Sequence, residues 1–100
     1  MTKHPKKLLV IFAEAALEKR LVADVRRLGA LGYTVWDVRG GGATGTREGH
    51  WEADRTIEMK VVCEEVVADA IAQTVLDTYA AHHAVSLYFT DVQVLRAEKF

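Results

Sequence analysis

The sequence predicts an α+β domain in which a four-stranded antiparallel sheet carries two helices on one face. One hundred residues, 50% of them hydrophobic and 27% charged, suit a single globular domain with no second core. Apolar residues recur with the period of strands and then of helices, in the order strand, helix, strand, long loop, strand, helix, strand. Two such units joined through a hairpin form a βαββαβ sandwich, and right-handed crossovers place its first and third strands at the centre.

The first half of the chain contains two strands and one helix. Residues 8–12, Leu-Leu-Val-Ile-Phe, are an apolar run typical of a strand buried on both faces. Spacings of four, four and three then predict a helix with an apolar stripe formed by Leu17, Leu21, Val25 and Leu28. Gly29 and Gly32 end this helix, because glycine tolerates the left-handed turn common at helix C-termini. Residues 33–39, rich in β-branched and aromatic side chains, form the second strand.

The second half repeats the pattern after a long loop. Residues 55–63 alternate and predict the third strand, whose inward face is Ile57, Met59, Val61 and Cys63. Glu64 and Glu65 open the second helix, where carboxylates suit the positive end of the helix dipole. The inner face of this helix is predicted to be Val67, Ala70, Ile71, Thr74 and Val75. Residues 80–83 form a short connector, and residues 85–95 form the last strand.

The predicted sheet raises the question of what covers its second face. Both helices lie on one side, yet the central first strand is apolar on both sides. The second face is either partly exposed or buried against other copies of the chain. We expect self-association, because a continuous apolar strand facing water promotes aggregation.

Composition excludes several classes of function. The formal net charge is −1, whereas nucleic-acid binders usually carry a basic excess on one face. The longest apolar run, residues 8–13, is far shorter than the roughly 20 residues of a membrane-spanning helix, and no signal peptide is recognised. The single Cys63 excludes an internal disulfide and a cysteine-based zinc site. We therefore expect a soluble cytoplasmic protein.

The glycine-rich loop over residues 40–54 contains five glycines and no periodicity. Structureless loops of this length in compact domains are usually functional or disordered. Glycines let successive backbone N–H groups converge on an anion, and an arginine adds a charged fork of donors. The predicted anion-binding residues are Gly40, Gly41, Gly42, Thr44, Gly45, Thr46 and Arg47. The alternative is a flexible hairpin connection that binds nothing.

The loop also contains patterns that carry less information. Gly40, Gly42 and Gly45 spell GxGxxG, but the dinucleotide fingerprint needs a helix directly after the glycines, and here a strand follows. We interpret that spacing as coincidental. An acidic group could hold Mg²⁺ beside a phosphate, although a solvated acidic loop is the favoured interpretation of Glu48, Glu52 and Asp54. Trp51 either folds the loop down or stacks on a ligand.

Histidines and the C-terminus supply the remaining candidates. His82 and His83 are adjacent, so they cannot converge on one metal as an i, i+4 helical pair would, and we interpret them as solvated turn residues. The chain ends with two cations and a terminal aromatic, namely Arg96, Lys99 and Phe100. These cations either keep a strand end soluble or reach the ligand of a neighbouring subunit.

The order of elements, the long loop and the C-terminal residues together resemble the PII-like signalling proteins. The ending Asp-Val-x-Val-Leu-Arg-x-x-Lys-Phe over residues 91–100 is the more specific signal. The likeness covers nearly the whole chain and is greatest to the bicarbonate-linked, carboxysome-associated branch. The loop of that branch, Gly-x-Gly…Gly-x-Arg…Gly-x-Trp, is similar to Gly40, Gly42, Gly45, Arg47, Gly49 and Trp51.

The resemblance implies a homotrimer that binds an adenine nucleotide in each of three clefts between subunits. Gly40, Gly42 and Arg47 would lie near the phosphates, and Arg96 and Lys99 would approach from the chain's end. Bicarbonate would bind at the base of the loop. The loop would correspond to the family's T-loop, which meets partner proteins, here a bicarbonate transporter or a carboxysome-related protein.

Two departures from the family pattern modify these expectations. Classical PII proteins carry a second glycine-rich phosphate loop with a lysine, whereas residues 79–84 contain neither glycine nor lysine. We therefore predict a preference for AMP or ADP over ATP. The long loop has no tyrosine, so control by tyrosine modification is not expected. Two alternatives remain open at this point: slow nucleotide hydrolysis, and an assembly module whose loop contacts only protein.

Overall fold

The chain forms one layer of helices on one layer of sheet in a computed structural model that describes residues 1–42, 45–47 and 55–100. Six strands and two α-helices lie within the described residues. The first half contains β1 (His4–Glu14), α1 (Glu18–Arg27) and β2 (Thr34–Val38). The middle contains β3 (Gly40–Gly42) and β4 (Gly45–Arg47), and the second half contains β5 (Thr56–Cys63), α2 (Glu65–Tyr79) and β6 (Ser86–Val94). Short 3-10 turns at Ala15–Leu17 and Ala97–Lys99 follow β1 and β6.

The main sheet has the predicted four-stranded antiparallel arrangement. Its strand order is β2-β5-β1-β6, so the first and third predicted strands are central. Strand β1 pairs with β5 from Lys7 to Glu14 and with β6 from His4 to Phe12. This strand is therefore longer than the predicted apolar run at both ends, because its polar end residues still pair with central and edge neighbours. The prediction of an α+β βαββαβ fold is confirmed.

The hydrophobic core lies between the sheet and the two helices. Leu9, Ile11 and Ala13 of β1 point into it, as do the four predicted residues of β5, Ile57, Met59, Val61 and Cys63. The Cys63 thiol is buried, and burial raises its pKa. Helix α1 contributes Leu21 and Val25, and the preceding turn contributes Leu17, as its leucine and valine stripe predicts. Leu28 is only partly buried at the helix end.

The predicted inner face of α2 is partly wrong. Ile71 and Val75 are fully buried, but the other fully or nearly buried positions are Ala68, Ala72 and Tyr79. Val67, Ala70 and Thr74 are only partly buried. The helix is apolar on more than one side, so its sequence does not define a single stripe, and packing on the sheet decides which side turns inward.

The predicted structureless loop contains a short two-stranded ribbon, which corrects that prediction. Strands β3 and β4 are antiparallel, with Gly40 opposite Arg47, Gly41 opposite Thr46 and Gly42 opposite Gly45. Glycine-rich strands show no alternation of apolar and polar side chains, and for this reason the periodicity could not reveal them. Thr44, Glu48, Trp51 and the other residues of 43–44 and 48–54 lie outside the described residues.

Both described helices lie on one side of the sheet, and the opposite side presents aromatic and apolar groups. The cross-strand register puts Val10 opposite both Lys60 and Tyr88, and Phe12 opposite Glu58. Residues directly opposite on paired strands share a face. Ring contacts agree with this assignment. The ring centroids of Phe12 and Tyr88 lie 6.3 Å apart, and the Lys60 ammonium nitrogen lies 4.9 Å from the centroid of the Trp36 ring. We call this surface the helix-free face; it includes Leu8, Val10, Phe12, Trp36, Lys60, Val62 and Tyr88.

Candidate functional site

The base of the long loop is closed by an ion pair between residues at its two ends. Asp37 lies near the end of β2 and Arg55 precedes β5, and the Arg55 Nη2 atom lies 2.5 Å from Asp37 Oδ1. The backbone carbonyl of Arg55 also accepts a hydrogen bond of 2.9 Å from the N–H of Ala15, where β1 passes into α1. Because both ends are attached to the sheet, the start of the loop has a defined position.

The ribbon brings several predicted anion-binding residues together. Gly40, Gly41 and Gly42 lie on β3, and Gly45, Thr46 and Arg47 lie on β4 directly opposite them. The six positions therefore share one small element that extends from the loop base. In an extended two-stranded ribbon, alternate N–H groups point away from the partner strand, and at glycine positions no side chain would hinder an anion from approaching them.

Gly40 is not required by the conformation of the chain itself. Among the described residues, only Gly29 is a glycine with positive φ, at 113°. A Cβ atom built on Gly40 would meet nothing within 4 Å, so no neighbour in the described part of the chain excludes a side chain there. A requirement for glycine at this position would therefore come from a group outside the described chain, such as a ligand.

A second cluster at the same end of the sheet was missed by sequence analysis. The Glu14 carboxylate accepts a hydrogen bond of 3.1 Å from the backbone N–H of Ala84, and its other oxygen lies 3.2 Å from His83 Nδ1. We call this arrangement the Glu14 clasp. It joins the end of β1 to the connector between α2 and β6, and it corrects the interpretation of His83 as a solvated turn residue. The partners are 69 and 70 residues apart in sequence, so no local pattern could reveal them.

The predicted C-terminal cations lie at the other end of the sheet. Arg96 follows β6, whose last residue Val94 pairs with His4 at the start of β1. The loop base adjoins Thr56, which pairs with Glu14 at the end of β1. Eleven residues of strand separate these ends, a span of roughly 33 Å at about 3.3 Å per residue. Arg96 is exposed and forms an ion pair of 3.2 Å with Glu98.

One chain therefore does not bring the two groups of predicted site residues together. The glycine-rich ribbon and the C-terminal cations could meet only across a contact between two copies. This geometry is consistent with the prediction that Arg96 and Lys99 serve a neighbour's ligand.

A surface cleft of about 690 Å³ lies at the same end as the C-terminal cations. The positive charges that line this cleft are neutralised by neighbouring carboxylates, because Lys6 forms an ion pair with Glu64 and Lys7 forms one with Asp91. The hydrogen bond to Asp91 raises the pKa of Lys7. Since these cations already have carboxylate partners, the cleft offers little unpaired positive charge to an anion.

Metal-binding clusters and membrane-spanning helices are both absent from the described part of the chain. No group of three or more His, Cys, Asp or Glu side chains in residues 1–42, 45–47 and 55–100 is arranged to hold a metal ion. The acidic residues considered for Mg²⁺, Glu48, Glu52 and Asp54, lie outside those ranges. Neither of the described helices has the length and apolar character needed to cross a membrane.

Comparison with known families gives one match that covers almost the whole chain. The sequence profile of the family described as nitrogen regulatory protein P-II matches residues 6–99. A search among curated proteins gave no significant match.

Solved structures of similar fold include proteins with related sequences. A PII-like signaling protein from Thermus thermophilus is 43% identical, with a TM-score of 0.86, over 100% of this chain and 99% of that chain. CPII from Thiomonas intermedia K12, a nitrogen regulatory PII-like protein bound to ADP, AMP and bicarbonate, is 28% identical with a TM-score of 0.89, over 99% and 96% of the two chains. The same protein bound to ADP and bicarbonate aligns at 27% identity with a TM-score of 0.87, over 99% of this chain and 97% of that chain.

Proposed function

Because this chain belongs to the nitrogen regulatory protein P-II family, we propose that it is a regulatory protein that senses AMP or ADP together with bicarbonate. The observation that carries the proposal is the alignment with CPII, which is bound to ADP, AMP and bicarbonate and whose structure aligns over 99% of the length of this chain. The glycine-rich ribbon at a fixed loop base supplies the kind of backbone donors that phosphate groups need.

The proposed binding site lies between subunits. The ribbon of one copy and the C-terminal cations Arg96 and Lys99 of the next would meet in a cleft, which would explain why one chain holds them roughly 33 Å apart. A homotrimer contains three such clefts. The helix-free face is the surface on which the copies would pack.

The proposed preference for AMP or ADP over ATP rests on the connector between α2 and β6. Residues 80–85 supply no lysine or glycine, and two donors of this segment, His83 Nδ1 and the Ala84 N–H, are already engaged by Glu14. Fewer free donors at this edge favour a nucleotide with fewer phosphates. Bicarbonate, a small planar anion, would occupy backbone donors at the loop base.

The proposed output is docking of the loop on a partner protein. Ordering a glycine-rich segment costs about 1–2 kcal/mol per fixed residue, so modest ligand energies can change its conformation. The partner that we propose is a bicarbonate transporter or a carboxysome-related protein, contacted from the cytoplasm.

Calorimetric titration with AMP, ADP and ATP, each with and without bicarbonate, tests the proposed function. We expect AMP and ADP to bind more tightly than ATP, and light scattering to give three times the chain mass of 11.1 kDa. Absence of heat with all three nucleotides would exclude the nucleotide sensor. A single-chain mass would exclude the cleft between subunits.

Arg47→Ala distinguishes a sensor from an assembly module. A sensor that uses the guanidinium on a phosphate loses about 1.5–3 kcal/mol of binding free energy, the usual contribution of a charged hydrogen bond. Arg27→Ala on helix α1 is a matched control, since this exposed arginine forms its ion pair with Asp24 of the same helix. Equal nucleotide affinity of both variants would favour a loop that contacts only protein.

A further inference from the structure

The Glu14 clasp has the geometry of an occupied anion site. Each carboxylate oxygen of Glu14 has its own partner on the connector: the Ala84 N–H at 3.1 Å and His83 Nδ1 at 3.2 Å. A backbone N–H beside an imidazole is a donor pair that suits carboxylate and phosphate oxygens alike. The side chains of Glu14 and His83 are each about one-third exposed, so the cluster is open to solvent on one side.

Glu14 does not have the local role that its position would suggest. It directly precedes the 3-10 turn Ala15–Leu17 with an extended backbone, at φ −65° and ψ 140°, and its side chain makes no capping hydrogen bond to that turn. The carboxylate instead reaches a segment 69–70 residues away. The interaction is therefore a tertiary contact with the connector.

The clasp lies close to the loop base. Glu14 of β1 and Val38 of β2 both pair with Thr56 of β5, on its two sides. Neighbouring strands are about 4.8 Å apart, so the two backbones are separated by roughly 10 Å. Gly40 begins the ribbon two residues after Val38. A phosphate chain that extends from the loop base toward the connector would therefore have to cover a distance of roughly 10 Å to reach the Glu14 clasp.

We propose that Glu14 is an internal anion that occupies the connector's donors and thereby selects against nucleotides with longer phosphate chains. The inference rests on the proposed nucleotide-binding function and assigns its selectivity to one carboxylate. A further phosphate would have to displace Glu14 from His83 and Ala84, and it would also be repelled by the carboxylate charge. A nucleotide whose phosphates end at the ribbon would not meet this cost.

The test compares nucleotide affinities of the full-length wild type with those of Glu14→Ala and Glu14→Gln. In Glu14→Ala we expect ATP affinity to rise about tenfold relative to AMP affinity, because two donors become available and one negative charge is removed. Glu14→Gln keeps an acceptor for the Ala84 N–H but loses the charge, so we expect a smaller rise. AMP affinity should change less than about twofold in both.

Two controls separate direct occupation from a general change of charge. Glu18→Gln removes one negative charge in the first turn of the neighbouring helix and should leave the ATP-to-AMP ratio unchanged. His83→Ala combined with Glu14→Ala should cancel part of the gain for ATP, because it removes one of the two released donors. Circular dichroism establishes that each variant is folded, and Glu14→Gln carries the test if Glu14→Ala does not fold.

The outcomes distinguish this inference from the proposed function. If AMP binds and the ATP-to-AMP ratio is the same in folded wild type and Glu14 variants, Glu14 is only a structural link and the inference is wrong. An equal rise in Glu18→Gln would also overturn it. If no adenine nucleotide binds the wild type, the proposed function itself fails, and this inference fails with it.

Discussion

Gly40 and Gly32 provide a comparison between a glycine at the candidate site and a glycine away from it. A Cβ atom at either position meets nothing within 4 Å, and neither glycine has positive φ. Within the described part of the chain, the two positions are therefore equivalent. Any difference between their substitutions would come from what binds at the ribbon.

We predict that Gly40→Ala lowers AMP and ADP affinity at least about tenfold, whereas Gly32→Ala does not. The added methyl group would occupy space where a phosphate approaches the backbone, a loss of about 1.4 kcal/mol or more. Both variants should keep or slightly raise the free energy of unfolding, by about 0.4–1 kcal/mol, because alanine restricts the unfolded chain. Calorimetric titration and urea unfolding measure the two effects. Unchanged affinity in Gly40→Ala would place the phosphates elsewhere.

Tyr79 shows how one buried polar group connects the two helices. Its hydroxyl donates a hydrogen bond of 2.5 Å to Asp24 Oδ2, and the Arg20 guanidinium lies 4.8 Å from its ring. Burial raises the pKa of Tyr79, and the hydrogen bond to Asp24 and the negative charge of Asp24 raise it further.

We predict that Tyr79→Phe lowers the free energy of unfolding by about 1–2 kcal/mol at neutral pH, since it removes a hydrogen bond to a charged group and leaves Asp24 with less solvation. Because folding raises the pKa of the Tyr79 hydroxyl, this group stabilises the folded state at pH values below its ordinary pKa of 10.0. The stabilisation is lost as the pH rises through the pKa of the folded state. The difference between wild type and variant should therefore shrink above pH 10 in urea unfolding. Tyr33→Phe, an exposed tyrosine, is the control. A difference that persists or grows at high pH would contradict this assignment.

At the scale of elements, α2 and the ribbon behave in opposite ways. Helix α2 is attached through fully buried side chains such as Ile71 and Val75. The β3–β4 ribbon has three residues per strand, and a two-stranded hairpin of this size is marginally stable by itself. Stability thus resides in the helix–sheet core, and the ribbon is the element whose conformation the proposed ligand would change at the lowest cost.

We predict that Val75→Ala lowers the free energy of unfolding by about 2 kcal/mol, from lost burial of two carbon atoms and the resulting cavity. Val66→Ala is the same substitution on the same helix at a side chain that is 74% exposed, and it should change stability by less than about 0.5 kcal/mol. Thermal or urea unfolding of the two variants checks the difference. Similar losses in both would show that Val66 is buried, for example against another subunit.

At the scale of the whole molecule, the helix-free face is a surface on which large aromatic side chains of the single chain remain exposed to solvent. Tyr88 is 52% exposed and Trp36 is 42% exposed on it, while the central Val10 is fully covered by its neighbours. Large aromatic groups gathered on one face of a sheet indicate a contact surface. Packing of this face against other copies would also hold the ribbon of one chain near the C-terminus of the next.

We predict that Tyr88→Glu converts the proposed homotrimer into single chains and abolishes nucleotide binding with it. A carboxylate without a partner is costly to bury in a subunit interface. Leu31→Glu introduces the same charge at a side chain that is 68% exposed in the connection between α1 and β2, and it should leave the mass unchanged. Light scattering followed by titration with ADP measures both properties. A Tyr88→Glu variant that keeps the wild-type mass would show that the copies meet through a different surface.

Local patterns were sufficient for much of the fold. The alternation over residues 55–63 correctly assigned Ile57, Met59, Val61 and Cys63 to the core, because a strand with one buried face has a strict period of two. The stripe of α1 was equally informative. The apolar run at residues 8–12 correctly marked a central strand.

Only the tertiary structure decided the inward side of α2, the β3–β4 ribbon, the Asp37–Arg55 ion pair and the Glu14 clasp. Helix α2 has apolar residues around much of its circumference, and the ribbon is mostly glycine, so neither has a periodic signal. Glu14 meets His83 and Ala84 across 69–70 residues because sheet pairing and helix packing bring the end of β1 to the connector. Sequence determined the elements and the loop that carries the candidate anion site, since these depend on neighbouring residues. The contacts that would tune that site depend on segments far apart in the chain, and only their packing brings them together.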